Sequence, residues 1–522
     1  MFDLLPAWAL KALVRLTEIF PGFHRLVNRI AINRSVGVTR TRPHPWSTVH
    51  DYVSWDSLTD MRYSARHLPA RNIPGQPETA RVADLFRRPA GGQRLSAKST
   101  CLFPAFAQYL TDGFIRTRMP NSSAGESEEI RLQNTSNHQI DLSPLYGRTR
   151  EQTRALRLMS EAKGERGRLK SQVLAGEEWA PFLYDGPAIR AEFAVLDPPL
   201  GRDKIEAAPA LRDRIFAFGG DRANSVPQVS MMNTLFLREH NRIAGMIERA
   251  HPDWDDERVF QTARNVVIVM FIKLVVEEYI NHISPVPIRL MADPRVAWRA
   301  PWNRPNWITT EFSLLYRWHS LMPDEIRWGT RTVPIHATFF DNAPLLEGGL
   351  ARGFADMSAQ ATGVLGPRNT ADALLGIEES SIRQGRLARL DTYAAYRALV
   401  GLKPPRRFED ISTDPDVLRI LRGLYPSPDL VEFYPGLFAE DPTPNTPLPP
   451  LIRTMVAVDA FSQALTNPLL SEHVWRAETF TAEGMAAIEG TATLADLVAR
   501  NAPGGAGGAR IAMTQEGWEH SW

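Results

Sequence analysis

The sequence predicts a mainly α protein, on three observations. Apolar residues recur at helical spacing in 103–117, 148–160, 228–249, 256–283, 309–320 and 388–399. Strand-like alternation is rare. Forty prolines gather in connections such as PHPW, DPPLG, APWNRPNW and EDPTPNTPLPP, so long irregular joins separate the helices.

Residues 1–42 come first, with Leu4, Leu5, Trp8, Leu10, Leu13, Val14, Leu16, Ile19 and Phe20 followed by Phe23, Leu26, Val27, Ile30 and Ile32. Pro6 and Pro21-Gly22 divide this run into short helices. Seven cations (Lys11, Arg15, Arg25, Arg29, Arg34, Arg40, Arg42) face two acids (Asp3, Glu18), a net +5. Short basic amphipathic helices carrying Trp and Phe suit insertion into one leaflet of a membrane. Docking on the main body or on a second subunit would bury the same face. Residues 43–500 then form one large domain. Within it, 228–249 repeats Met231, Met232, Leu235, Phe236, Ile243, Ala244 and Ile247 at helical spacing, and 256–283 repeats Phe260, Val266, Val267, Met270, Phe271, Leu274 and Val275. The Gly/Ala-rich stretch NAPGGAGGARIAM marks 501–522 as an expected flexible tail.

Composition narrows the function classes. Sixty Lys and Arg against 59 Asp and Glu leave no global field for nucleic acid. The single cysteine, Cys101, excludes an internal disulfide framework and any zinc or iron–sulfur site built on several Cys. No run looks apolar enough over the roughly 18 to 20 residues that a spanning helix needs, and no signal-peptide cleavage pattern opens the chain. The expected location is cytoplasmic or peripheral to the inner face of a membrane.

The most specific run is EFSLLYRWHSLMPD (311–324), where Tyr316 precedes His319 by three residues. On a helix the two side chains would share a face. Imidazole is a standard axial ligand of haem iron, and a phenol nearby can be oxidised by one-electron transfer.

Together with HDYVSWDSL (50–58), FAQYLTDGFIRT (106–117), IDLSPLYG (140–147), FLREHNRIAGMIERAHPDWDDERVFQTAR (236–264), EFYPGL (432–437) and TMV (454–456), this run resembles the prostaglandin-endoperoxide synthase (cyclooxygenase) branch of the haem peroxidase–cyclooxygenase superfamily. The ordered matches extend over about residues 25 to 480. Lack of a cysteine-rich growth-factor-like module suggests a bacterial-type relative.

The resemblance implies the haem peroxidase fold and haem b as cofactor. It makes His319 the proximal iron ligand, Tyr316 the tyrosine that becomes a radical, Tyr434 a neighbour of the proximal histidine, and Tyr279 a hydrogen-bond partner of Tyr316. On the distal side Gln108 stands in its expected place, but Asp112 replaces the distal histidine. An ordinary carboxylate is a poor proton donor near neutral pH, and burial can correct this.

For substrate, the resemblance implies a long-chain unsaturated fatty acid and O2. Arg34 best matches the carboxylate-binding arginine, with Arg29 or Arg40 as alternatives. Leu110, Phe114, Ile280, Ile283, Phe312, Leu315, Trp318, Met455 and Val456 fall where the family lines its channel. Val286 replaces a mouth tyrosine, Ser462 resembles the serine acetylated by aspirin, and Asp459 stands where the family has glycine. A monotopic membrane contact and a homodimer are further expectations. The expected reaction is hydrogen abstraction by the Tyr316 radical and addition of O2, giving a hydroperoxide or endoperoxide. The alternatives are a haem peroxidase or oxidase acting on a smaller aromatic or secondary metabolite, and a catalytically silent haem-binding protein.

Overall fold

The central helix Pro227–Ala250 begins on a proline, which loses nothing in a first turn whose N–H groups have no helical partner. It packs on the Asp112-bearing helix Leu102–Phe114 and on Asp256–Leu274, whose start is capped by the Asp255 carboxylate accepting the Arg258 N–H at 2.7 Å. The structure is a computed structural model that describes residues 5–39, 54–120, 125–502, 504 and 507–522. Residues 40 and 50–53, which include Arg40 and the start of the first matched segment, lie outside the described residues.

The mainly α expectation holds, with strands confined, among the described residues, to two-stranded antiparallel ribbons. Leu95–Thr100 pairs with Ala361–Gly363 and runs through Cys101 into the Asp112 helix. The Cys101 thiol is buried and points to Ala361 O at 3.5 Å. One hydrophobic cluster extends through the body, from Ile32 to Met513.

Four expectations change. Helix 309–320 stops at Leu315 and resumes only as a short 3₁₀ turn, His319–Leu321. The Trp318 indole Nε1 donates to Leu315 O at 2.6 Å, the carbonyl that the next helical turn would use. Tyr316 and His319 are therefore not on one helix face; a non-helical link separates them. Segment 256–283 also changes character, through a π-turn at Val275–Ile280 before the last turn Asn281–Ile283. It is moreover long and apolar enough to cross a membrane, contrary to the sequence expectation, yet 78% of its apolar window is buried in the core. The tail expectation fails over its second half: Ile511 and Met513 are buried, and Ser99 bridges to Thr514.

The N-terminal residues form helices Ala7–Ile19 and Pro21–Val36. They bury Val14, Val27, Ile32 and Val36 against the body but leave Trp8 75% exposed, with Ile19, Phe20, Leu26 and Ile30 also open.

Candidate active site

A chain of polar partners gathers around His319. Its Nδ1 lies 3.2 Å from Glu378 Oε1, on the helix Leu375–Leu387. Thr370 Oγ1 donates to the same oxygen at 2.9 Å, and the Tyr434 hydroxyl donates to Glu378 Oε2. Tyr434 is thus near His319 through Glu378, and its ring stacks on Phe86 at 5.3 Å. A carboxylate on one imidazole nitrogen orients the ring and raises the basicity of the other, the arrangement metal-ligating histidines adopt.

The helix Leu102–Phe114 turns Gln108 and Asp112 toward the same side, one helical turn apart. Gln108 Nε2 donates to Ser225 Oγ at 3.0 Å, and Asp112 is buried with Oδ2 lacking a hydrogen-bond partner. Burial pushes the Asp112 carboxyl up to about 7, against the opposing charges of Arg222, Arg116 and Arg317. Arg222 reaches this place from a loop whose Gly219 lies so close to Gly147 of the LSPLYG segment that a Cβ would meet Gly147 N at 2.0 Å. The Arg317 guanidinium is buried and feels the charge of both Asp112 and Glu378; its Nε has no hydrogen-bond partner.

Tyr316 lies 4.9 Å from Phe312 edge-on and 4.8 Å from Trp318 nearly parallel. The Tyr279 ring lies 6.5 Å from Trp318, nearly parallel to it. Burial holds both phenols protonated, and the two hydroxyls lie close enough to act on each other, as the expected Tyr279–Tyr316 pairing requires, although neither reaches the geometry of a completed hydrogen bond. Asp459 adds to the cost of ionising Tyr316; its two oxygens each lie 3.1 Å from Nε2 of buried His67.

A cavity of about 340 Å³ opens beside the N-terminal helices. Arg34 and Arg453 supply its charge, while Ile280, Ile283, Val286, Ile288, Leu290 and Phe461 supply apolar wall. Of the substrate residues expected from sequence, Arg34, Ile280 and Ile283 line it; Phe312, Leu315, Trp318 and Val456 are buried in the packing around Tyr316 and the helix Pro450–Leu465. The Ser462 hydroxyl donates within its own helix, to Val458 O at 2.8 Å and Asp459 O at 2.9 Å, and is not part of the cavity wall.

Glu378, Arg222, Arg317 and His67 are the residues sequence reasoning missed. Only the GGDRANS loop, with its adjacent glycines and lone arginine before Pro227, carries a local signal.

The sequence profile described as animal haem peroxidase matches residues 103–512. The chain belongs to the animal haem peroxidase family. This family member is 31% identical to prostaglandin G/H synthase 1 of Rattus norvegicus over 471 residues, 88% of the chain and 74% of that protein. It is 29% identical to prostaglandin G/H synthase 2 of Equus caballus, over 93% of the chain and 80% of that protein. Among solved structures, the fatty acid alpha-dioxygenase of Oryza sativa shares the fold with a TM-score of 0.69 at 16% identity, over 96% of this chain and 95% of that one. Peroxidase A of Dictyostelium discoideum does so at 0.65 and 18%, over 91% and 96%.

The protein is a haem-dependent oxidoreductase, and its residues fit the cofactor. Nδ1 of His319 faces Glu378 Oε1 at 3.2 Å without completing a hydrogen bond, a small ring rotation from the paired arrangement that would leave Nε2 for iron. The partnerless atoms Asp112 Oδ2 and Arg317 Nε are buried polar groups that a bound macrocycle and its ligands would meet.

Proposed function

We propose that this haem peroxidase family member is a fatty-acid dioxygenase that uses Tyr316 as a radical to oxygenate an unsaturated acyl chain. The observation that carries the reading is Tyr316, half-buried with its hydroxyl enclosed and protonated, three residues from His319, together with an arginine-bearing apolar cavity whose wall includes Ile280, the residue after Tyr279. Bound haem supplies the one-electron oxidant for the phenol. Arg34 pairs the substrate carboxylate as a guanidinium fork, and the apolar wall holds the chain. The Tyr316 oxygen then takes a hydrogen atom: its O–H bond forms as an allylic or bis-allylic C–H bond breaks. O2 adds to the carbon radical, and return of the hydrogen atom from Tyr316 to the peroxyl group gives the hydroperoxide and restores the tyrosyl radical. Asp112, titrating near 7, has the acid–base range to move a proton during peroxide cleavage.

The test is O2 uptake by the haem-loaded protein with a panel of unsaturated fatty acids, followed by mass spectrometry of the products. Uptake is expected to vanish in Tyr316→Phe, and the Soret band is expected to be lost in His319→Ala. Substrate-dependent uptake that survives Tyr316→Phe would sink the mechanism. A peroxidase reading, with a smaller aromatic as electron donor, draws on Asp112 and on the buried His67–Asp459 pair, polar groups with no part in holding an acyl chain. Peroxide-dependent oxidation of phenols without fatty-acid O2 uptake would favour it. The exposed Trp8, Ile19, Phe20, Leu26 and Ile30, set among Arg15, Arg25 and Arg29, support monotopic insertion into a membrane surface.

A further inference from the structure

Three residues past Tyr279, in the short helix that follows the π-turn, the His282 ring is buried with both nitrogens engaged. Nε2 is hydrogen-bonded to Ser99 Oγ at 2.9 Å, and Nδ1 to Thr514 Oγ1 at 2.8 Å. A neutral imidazole offers one donor and one acceptor, and a hydroxyl serves as either, so the two hydroxyls satisfy both tautomers. Burial, helped by the charge of Lys98, keeps the ring neutral. The imidazole lies 4.6 Å from the Phe103 ring, which is 5.7 Å from Tyr279 and 5.4 Å from Trp318. Trp318 in turn stacks on Tyr316, so contiguous rings join His282 to the reacting phenol.

Thr514 arrives there because the end of the chain is strapped to the strand that leads into the distal helix. Thr100 N–H donates to Met513 O and Gln515 N–H to Lys98 O, both at 2.8 Å. Farther on, Lys98 Nζ sits 4.4 Å over the Trp518 ring, and His520 Nε2 meets the carbonyl of Pro285, a residue of the Arg34 cavity wall, at 2.5 Å. The strap touches neither Tyr316 nor His319, yet it closes the outer side of the His282 cage.

We propose that His282 is a positioning residue for Tyr316, and that segment 510–522 acts through it by holding the Phe103–Tyr279–Trp318 rings against the phenol. The inference deepens the radical reading of Tyr316 and rests on it, but its first test does not. Hydrogen exchange on the haem-free protein should show amides of 275–283 exchanging about tenfold faster in Thr514→Val, as loss of one buried hydrogen bond requires. Ser521→Ala, which removes a hydroxyl bonded to Asn445 at the far end of the strap, should leave them unchanged. In the haem-loaded protein, His282→Ala should alter the hyperfine width of the tyrosyl radical spectrum and lower kcat with KM for fatty acid unchanged. His282→Gln, which keeps a donor and an acceptor, should restore both. Wild-type exchange rates in Thr514→Val, or equal acceleration in Ser521→Ala, would overturn the proposal. A wild type that forms no tyrosyl radical would overturn the dioxygenase reading instead, while the exchange comparison still decides whether the strap holds 275–283.

Discussion

Asp112 carries a carboxyl whose folded-state proton affinity, near 7, lies well above its ordinary value of 3.8 because burial disfavours the charge. The sign of the stability effect follows. Below about pH 4 both folded and unfolded states are protonated and Asp112 costs nothing. Between about pH 4 and 7 the unfolded state releases the proton first, so stability falls as pH rises, by on the order of 4 kcal/mol in total. Asp112→Asn should therefore melt at a higher temperature than the wild type at pH 8 and at nearly the same temperature at pH 4, measured by calorimetry of the haem-free protein. Glu278, also pushed to about 7 by burial, contributes the same slope to both proteins and cancels in the comparison. Asp112, like Gln108, Tyr316 and His319, stands out as a candidate in the sequence because each sits inside a short run whose neighbours fix its register. Glu378 was not, since GIEESSIRQGR reads as a solvated helix face, and only the tertiary meeting of that helix with the His319 turn reveals a carboxylate beside the imidazole.

Helical periodicity located the elements but not their interruptions. The spacing of apolar residues in 256–283 continues through the π-turn, where one extra residue per turn rotates Tyr279 toward the Tyr316 rings without changing the apolar character. Likewise the stop at Leu315 depends on an indole N–H taking a backbone carbonyl, a bond that residue pattern cannot show. For the N-terminal pair the pattern was enough to show an apolar face; its division into a docked side and an open side became visible only with the body in place. If the open side inserts into lipid, Trp8→Ala combined with Phe20→Ala should weaken flotation with anionic vesicles about tenfold or more, at the scale of two aromatic side chains leaving the interface. The thermal midpoint should stay within about a degree, because both side chains are exposed. Equal flotation of wild type and variant would remove the membrane proposal and leave that face for a partner surface.

At the scale of the molecule, one continuous core explains why a segment apolar enough for a bilayer is instead a central strut, and why the last residues are drawn back onto the body. Composition gave the class and excluded multi-cysteine metal chemistry; it could not show the return of the tail, because Gly/Ala content reports local stiffness and says nothing of where Ile511 and Met513 find apolar neighbours. The same packing decides the fate of Cys101. Hydroperoxides oxidise thiolates, and a protein that makes them is the first target of its own product. Here the lone thiol is buried at the root of the distal helix and pushed up to about 12, so nothing reactive is presented. Iodoacetamide should leave the native protein unlabelled and label it once after denaturation, and prolonged turnover should leave the thiol titre unchanged. With the thiol out of reach, inactivation during turnover falls to the methionines, the aromatic rings and the cofactor, and of these the rings packed on Tyr316 lie nearest the radical and set the working lifetime.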